Sequence, residues 1–167
     1  MGKIAVVYQS KNGSTAQYAK WIAEETGADL FTVDSCKVSD LADYDTIVYG
    51  GWIRVGGVQG IEFLKKNFKA LGHKKIITFA VGLNIHHPAA QKECREINFV
   101  KQLKEIPCYY FRGAYDPSKI KGMDKMMMGV MQKMMDDSNP ELRHAIEHGA
   151  DYVDRAQIKE IVEAILA

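Results

Sequence analysis

The stretch "KIAVVYQSKNGSTAQYAKWIAEETG", residues 3–27, decides the fold. Its first part, Lys3 to Tyr8, is a short run rich in β-branched residues without polar alternation, as a strand buried on both faces requires. The last part has helical spacing: Ala19, Ile22, Ala23 and Thr26 share one face, and Gly27 suits a C-terminal stop. Between them lies Ser10–Thr15, which offers hydroxyls, an amide and a flexible glycine just ahead of a helix start. Backbone N–H groups there, with the positive end of the helix dipole behind them, can hold a phosphate. The loop matches neither G-x-x-x-x-G-K-[ST] nor G-x-G-x-x-G. Turn and cap chemistry alone explains the same residues, so both readings stand at this point.

Working outward, the strand–helix alternation continues. "DLFTV" reads as a second strand, "VSDLADYD" as a short capped turn of helix, and "TIVYGG" (Thr46 to Gly51) as a third buried strand. Ile61, Leu64, Phe68 and Leu71 line one face of a helix ending near Gly72. "KIITFAV" is a fourth strand, Pro88 to Leu103 is helix-compatible, and "PCYYFRG" (Pro107 to Gly113) is a fifth strand. The chain closes on an amphipathic helix carrying Ile158, Ile161, Val162, Ile165 and Leu166. Such alternation predicts an α/β fold with a parallel sheet and right-handed crossovers, organised as a single domain over residues 1–167.

One segment falls outside the alternation. "GMDKMMMGVMQKMM" holds all but one of the chain's eight methionines. Met123, Met126, Met127, Val130, Met131, Met134 and Met135 form an i, i+3, i+4 stripe, so this is an inserted amphipathic helix. The stripe is expected to pack on the sheet or a partner subunit, to wall an apolar planar substrate, or, with Lys119, Lys121, Lys125 and Lys133, to touch a membrane surface. "SNPEL" then reads as a new helix start, with Asn139 as cap and Pro140 first.

Composition narrows the function. Twenty-two basic and 21 acidic residues leave a net charge of +1, which gives no general pull towards nucleic acid. Cys36, Cys94 and Cys108 are odd in number and widely spaced, which speaks against a disulfide framework or a zinc site. His144 and His148 have metal-compatible spacing, but without a third ligand a surface role is expected, and no metal is assigned. With no signal peptide or membrane-length apolar run, a cytoplasmic location is expected, or one peripheral to the inner face of the membrane.

In an open parallel sheet, ligands sit beyond the carboxyl ends of the strands where strand order reverses. The loops after strands one, three and four are therefore the ones to read together. "YGGWIRVGG" (Tyr49 to Gly57) surrounds Trp52 and Arg54 with four glycines, which permit close backbone approach to a ligand. "VGLNIHHP" is again polar and glycine-bearing. Arg54 is the only cation of the second loop and a candidate contact for an anionic substrate. His86 and His87 are candidates to move a proton or polarise a carbonyl.

Taken together, "YQSKNGSTAQYAKWIAEETGA", "ADYDTIVYGGWIRVGG" and "FLKKN" resemble the flavodoxin superfamily, whose first loop reads roughly (S/T)-x-x-G-x-T. Gly50, Ile53, Arg54 and Gly56, together with "FRGAYD" and the Met-rich insertion, resemble the menaquinone-dependent, flavodoxin-like protoporphyrinogen oxidases. The resemblance implies a flavodoxin-like five-stranded parallel sheet in the order 2-1-3-4-5, helices on both faces, and FMN at the switch point. It places the FMN phosphate on Ser10, Asn12, Gly13, Ser14 and Thr15, with Lys11 in the same cofactor-binding loop. Gly51, Trp52, Ile53, Arg54, Val55 and Gly56 would border the ribityl chain and ring, and Val81, Gly82, Leu83 and Asn84 the other side. The activity it implies is that of an FMN-dependent oxidoreductase working on a small redox substrate or quinone. The alternative is a non-catalytic electron-transfer protein that docks to a redox protein partner. The third loop departs from classical flavodoxins in having neither a tyrosine nor an acid. A homodimer and a peripheral membrane contact through the Met-rich helix complete the expected partners.

Overall fold

The computed structural model of the protein describes residues 2–167. Chain order is β1 (Ile4–Gln9), α1 (Ser14–Thr26), β2 (Asp29–Thr32), β3 (Thr46–Arg54), β4 (Gly57–Val58), α2 (Glu62–Leu71), β5 (Lys75–Gly82), α3 (Pro88–Asn98), β6 (Cys108–Arg112), β7 (Ala114–Tyr115), α4 (Gly122–Met134), α5 (Pro140–His148), β8 (Ala150–Asp151) and α6 (Lys159–Leu166), with short 3-10 turns at Val38–Leu41, Lys101–Leu103 and Arg155–Ile158. The five long strands pair in parallel as β2-β1-β3-β5-β6. That is the order 2-1-3-4-5 of the five strands expected from sequence.

Strand alternation divides the core into two layers. Ala5, Val7, Ile47, Tyr49, Ile76 and Ala80 face one side, covered by Leu64 and Leu71 of α2, Cys94 of α3, and Leu41 and Leu103 of the 3-10 turns. Ile4, Val6, Val48, Ile77, Phe79, Val81 and Phe111 face the other, under Tyr18, Ala19 and Ile22 of α1 and Ile161 and Ile165 of α6. Burial on both faces is why these strands read as unbroken apolar runs. Among the described residues, no helix is long and apolar enough to cross a membrane.

Four features differ from the sequence reading. α1 buries Thr15, Tyr18, Ala19 and Ile22, a face shifted towards its start; Thr26 instead turns its hydroxyl onto the Ile22 carbonyl. The helix beginning at Pro88 stops at Asn98, whose side chain leaves the helix pattern to bond elsewhere. β7 and β8 form a small antiparallel ribbon that neither run was long enough to announce. Most consequential is α4, which buries none of its residues: Met123, Met126, Val130, Met131 and Met134 are exposed. The stripe does not pack on the sheet; the helix is held by Asp124 on its polar edge and by Met127 of the stripe.

Candidate functional site

The site lies at the carboxyl edge of β1, β3, β5 and β6. β1 ends in the first loop, and α1 starts at Ser14 after Gly13, whose φ of 93° is a left-handed conformation suited to glycine. Ser10 Oγ accepts a hydrogen bond from Gly13 N (3.2 Å), folding the loop back on itself. No side chain caps α1. Ser14, one of the two residues that could have capped it, instead accepts from Ala114 N at 3.1 Å and ties the loop to β7. The N–H groups of the first helical turn are thus left for another acceptor, which is the arrangement an anion needs. Thr15 is buried beneath them, while Lys11, Asn12 and Gly13 are exposed.

The second segment is more ordered than a glycine-rich loop. β3 runs on through Gly51, Trp52 and Ile53 to Arg54, then turns through Val55 and Gly56 into β4, with Ile53 opposite Val58 and Arg54 opposite Gly57. Val55 and Gly56 have φ of 50° and 75°, so the turn is of the two-residue type that needs positive φ at both positions. A β-branched residue there is strained, and Val55 is 79% exposed. Two glycines expected to admit a ligand are required by the protein itself. A Cβ at Gly50 would fall within the Phe79 ring, and one at Gly51 against the Gln59 carbonyl.

Asn98 holds this hairpin in place. Buried beneath it, Asn98 accepts from Val58 N (2.8 Å) and donates to the Gly56 carbonyl (2.8 Å) and to Cys94 O (2.7 Å). Nothing in its sequence neighbourhood distinguishes it from an exposed helix-end asparagine, so it escaped the sequence reading.

Trp52 and Arg54 meet the first loop. Lys11 Nζ stands 5.8 Å from the Trp52 ring centroid, and Trp52 Nε1 is buried without a hydrogen-bond partner. Asp124 of α4 pairs with both cations, Lys11 and Arg54, the latter at 2.8 Å. Arg54 Nη2 also donates to Met127 Sδ at 3.4 Å. One acid and one thioether therefore fasten the inserted helix across the first two loops.

The third segment joins the second through packing. A Cβ at Gly82 would lie 3.2 Å from Ile53 Cδ1, and Gly82 O accepts from Gly113 N at 3.2 Å. Val81 is part of β5 with its side chain in the core, so only its backbone can front a ligand. Leu83 and Asn84 are half-buried. Asn84 Oδ1 accepts from Asn139 Nδ2 at 3.1 Å, while Asn139 Oδ1 caps α5 by accepting from Leu142 N.

His86 and His87 stack at 4.1 Å between centroids. The acid missing from this loop arrives from α5: Glu141 Oε2 is 3.8 Å from His86 Nε2, and Glu141 Oε1 accepts from Arg112 Nη2 at 2.5 Å. Arg112 in turn lies over the Tyr152 ring at 3.6 Å. Desolvation, then the nearby Arg112 and His87, lower the His86 pKa, with Glu141 opposing, which favours neutral imidazole. Arg112 holds Glu141 below the usual carboxylate range.

A cleft of about 330 Å³ opens on the β2 side of the first loop, lined by Tyr8, Gln9, Ser10, Lys11, Gly13, Thr32 and Asp34. It includes nothing from the second and third segments. The uncapped helix start and the unpartnered Trp52 indole lie in the neighbouring region, between β1 and β3.

The Flavodoxin domain family model matches residues 5–141. The chain belongs to the flavodoxin-domain family. It is an FMN-binding family, and FMN is the cofactor that membership indicates. No curated protein sequence matches the chain. Among solved structures, a flavodoxin, WrbA-like protein from Agrobacterium tumefaciens is similar over 99% of both chains, with 14% identity and a TM-score of 0.52. An FMN complex of a Lactobacillus acidophilus flavoprotein is similar over 67% of this chain and 93% of its own, with 14% identity and a TM-score of 0.48. Rubredoxin oxygen:oxidoreductase from Desulfovibrio gigas matches all of this chain but 37% of its own length, at 14% identity and a TM-score of 0.46.

The residues fit the flavin. The free N–H groups at the start of α1 suit its phosphate, and the Trp52 indole suits a polar acceptor beside a planar ring. The protoporphyrinogen-oxidase subtype does not follow from membership.

Proposed function

We propose that the protein is an FMN-dependent oxidoreductase acting on a small organic donor, with protoporphyrinogen the first candidate and a quinone-like acceptor. What supports this over a protein-to-protein electron carrier is α4. A carrier presents its flavin edge to another protein, whereas here Asp124 and Met127 pin a helix across the first and second loops. Such a cover suits small molecules entering from its edge. When bound, FMN supplies the electron-accepting chemistry. The chain's part is to bind and orient: loop N–H groups at the phosphate, and Arg54, aimed by Asp124, at an anionic donor or the pyrimidine edge. His86 faces Glu141 and stacks on His87, and no step is assigned to either.

The exposed methionine face, with Lys119, Lys121, Lys125 and Lys133 exposed around it, extends the proposal to a peripheral contact with the membrane that carries quinones. Its test is co-sedimentation with anionic liposomes: a Met126→Asp/Met131→Asp pair should lose binding, and equal binding removes this part. For the enzyme itself, the test is anaerobic turnover of protoporphyrinogen with menadione by flavin-loaded protein. Turnover that falls in Arg54→Ala through KM supports the reading. Full loading with no small-donor oxidation, alongside electron delivery to another redox protein, removes it.

A further inference from the structure

We infer that His86, His87 and Glu141 form a site for a divalent transition-metal ion of the zinc class, on the third loop just past its Gly82–Asn84 segment. One ring nitrogen from each histidine and one carboxylate oxygen of Glu141 lie within 4.8 Å of one another. Two imidazoles and a carboxylate are a sufficient protein ligand set for Zn²⁺, with the fourth position left to water. Zinc–ligand distances of about 2.0–2.1 Å place tetrahedral ligand atoms roughly 3.3 Å apart. The 3.8 Å between His86 Nε2 and Glu141 Oε2 is already near that value. Rotation of the exposed His86 and Glu141 side chains closes the remainder.

Two further observations point to a ligand there. His87 Nε2 is buried and has no hydrogen-bond partner. An unpaired buried polar atom carries a desolvation cost that a metal would relieve. The second is the framework that assembles the three groups from two separate elements. Pro88 opens α3 and restricts His87 to extended backbone, with φ −76° and ψ 132°. His87 N donates to Asn84 O at 3.2 Å. Asn84 is hydrogen-bonded to Asn139, the residue that caps α5, and this fixes Glu141, two residues on, beside His86. Arg112 occupies Oε1 and leaves Oε2 facing His86. This is the outer-shell orientation that ligating carboxylates commonly receive. As a cation on the same carboxylate, Arg112 also holds the affinity below that of a closed structural zinc site.

The test uses full-length protein with tags removed and metal stripped by chelator, titrated with Zn²⁺ by calorimetry and with Co²⁺ by visible absorption. One ion per chain is expected, with Co²⁺ giving the intense ligand-field bands of a four-coordinate site. His87→Ala and Glu141→Gln should each weaken binding by at least about tenfold, the scale that even outer-shell partners carry. His144→Ala/His148→Ala, which removes the other histidine pair, should leave it unchanged. Glu141 is exposed, so Glu141→Gln keeps the apoprotein melting temperature and reads binding alone. Absence of binding at millimolar Zn²⁺ would overturn the inference. So would retention of wild-type affinity in both His87→Ala and Glu141→Gln, or its loss in the His144/His148 variant. None of these readouts needs FMN, so they stand or fall apart from the flavin assignment.

Discussion

Asp124→Asn isolates what the inserted helix does. Asp124 pairs with Arg54 at 2.8 Å and with Lys11; the side chains are 21%, 37% and 50% exposed respectively. Pairs this open to solvent are worth about 0.2–1 kcal/mol each, so the clasp contributes about 0.4–2 kcal/mol in total. The substitution removes that clasp and withdraws one negative charge from the edge at which the proposed FMN phosphate site lies. Both effects favour entry. At about 1.4 kcal/mol per tenfold, FMN association should speed up roughly 2- to 30-fold. Stopped-flow mixing of apoprotein with FMN, followed by quenching of flavin fluorescence, measures it. Because charge carries part of the effect, the gain should shrink as salt shortens the screening length from about 10 Å at 0.1 M to 3 Å at 1 M. An association rate equal to wild type at low salt would refute the reasoning, as would a gain indifferent to salt.

Other perturbations reach other parts of the account. Thr15→Val should raise the FMN dissociation constant about tenfold, whereas Lys11→Ala, whose ammonium is half-exposed and already paired, should change it less than about threefold; equilibrium fluorescence titration reads both. Asn98→Ala strands Val58 N and the Gly56 carbonyl, and should cost about 2–4 kcal/mol. By thermal melting that is a drop of roughly 5–15 °C, with weakened FMN binding in the surviving fold. Burial pushes the Cys94 thiol up to about 11 and the Cys108 thiol to about 12. The folded state therefore keeps protons that the unfolded chain loses near pH 9, so stability should fall as pH rises above 9 and the thiols should resist disulfide reagents until unfolding. Urea midpoints from pH 7 to 10.5 check the first, and thiol titration the second.

The sheet was legible because strands buried on both faces leave runs such as "KIAVVY" and "KIITFAV", which few other structures produce. The first loop was legible as a place. That Ser14 would bond Ala114 N rather than cap its helix depends on a residue 100 positions away, and no local pattern carries that. In the second loop the glycines pointed to the right region for a different reason. Gly50 and Gly51 make room for Phe79 and the Gln59 carbonyl, so a packing requirement had the sequence signature of a binding one. Periodicity found α4 but not its orientation: an apolar stripe predicts burial, yet most of the stripe is exposed and the helix is attached through Asp124 and Met127. Glu141 shows the same limit. An acid beside the third loop is provided by α5, which the Asn84–Asn139 hydrogen bond and the Arg112–Glu141 pair bring alongside.

The central claim is that the edge formed by the uncapped start of α1, the Trp52–Arg54 hairpin and the Gly82–Asn84 segment holds FMN. The absorption spectrum of the purified protein, before and after titration with FMN, tests it most directly. The account predicts flavin bands near roughly 375 and 450 nm that stay with the protein through gel filtration, one FMN per chain, and loss of affinity in Thr15→Val. A colourless, folded protein that takes up no FMN at micromolar concentration would contradict it.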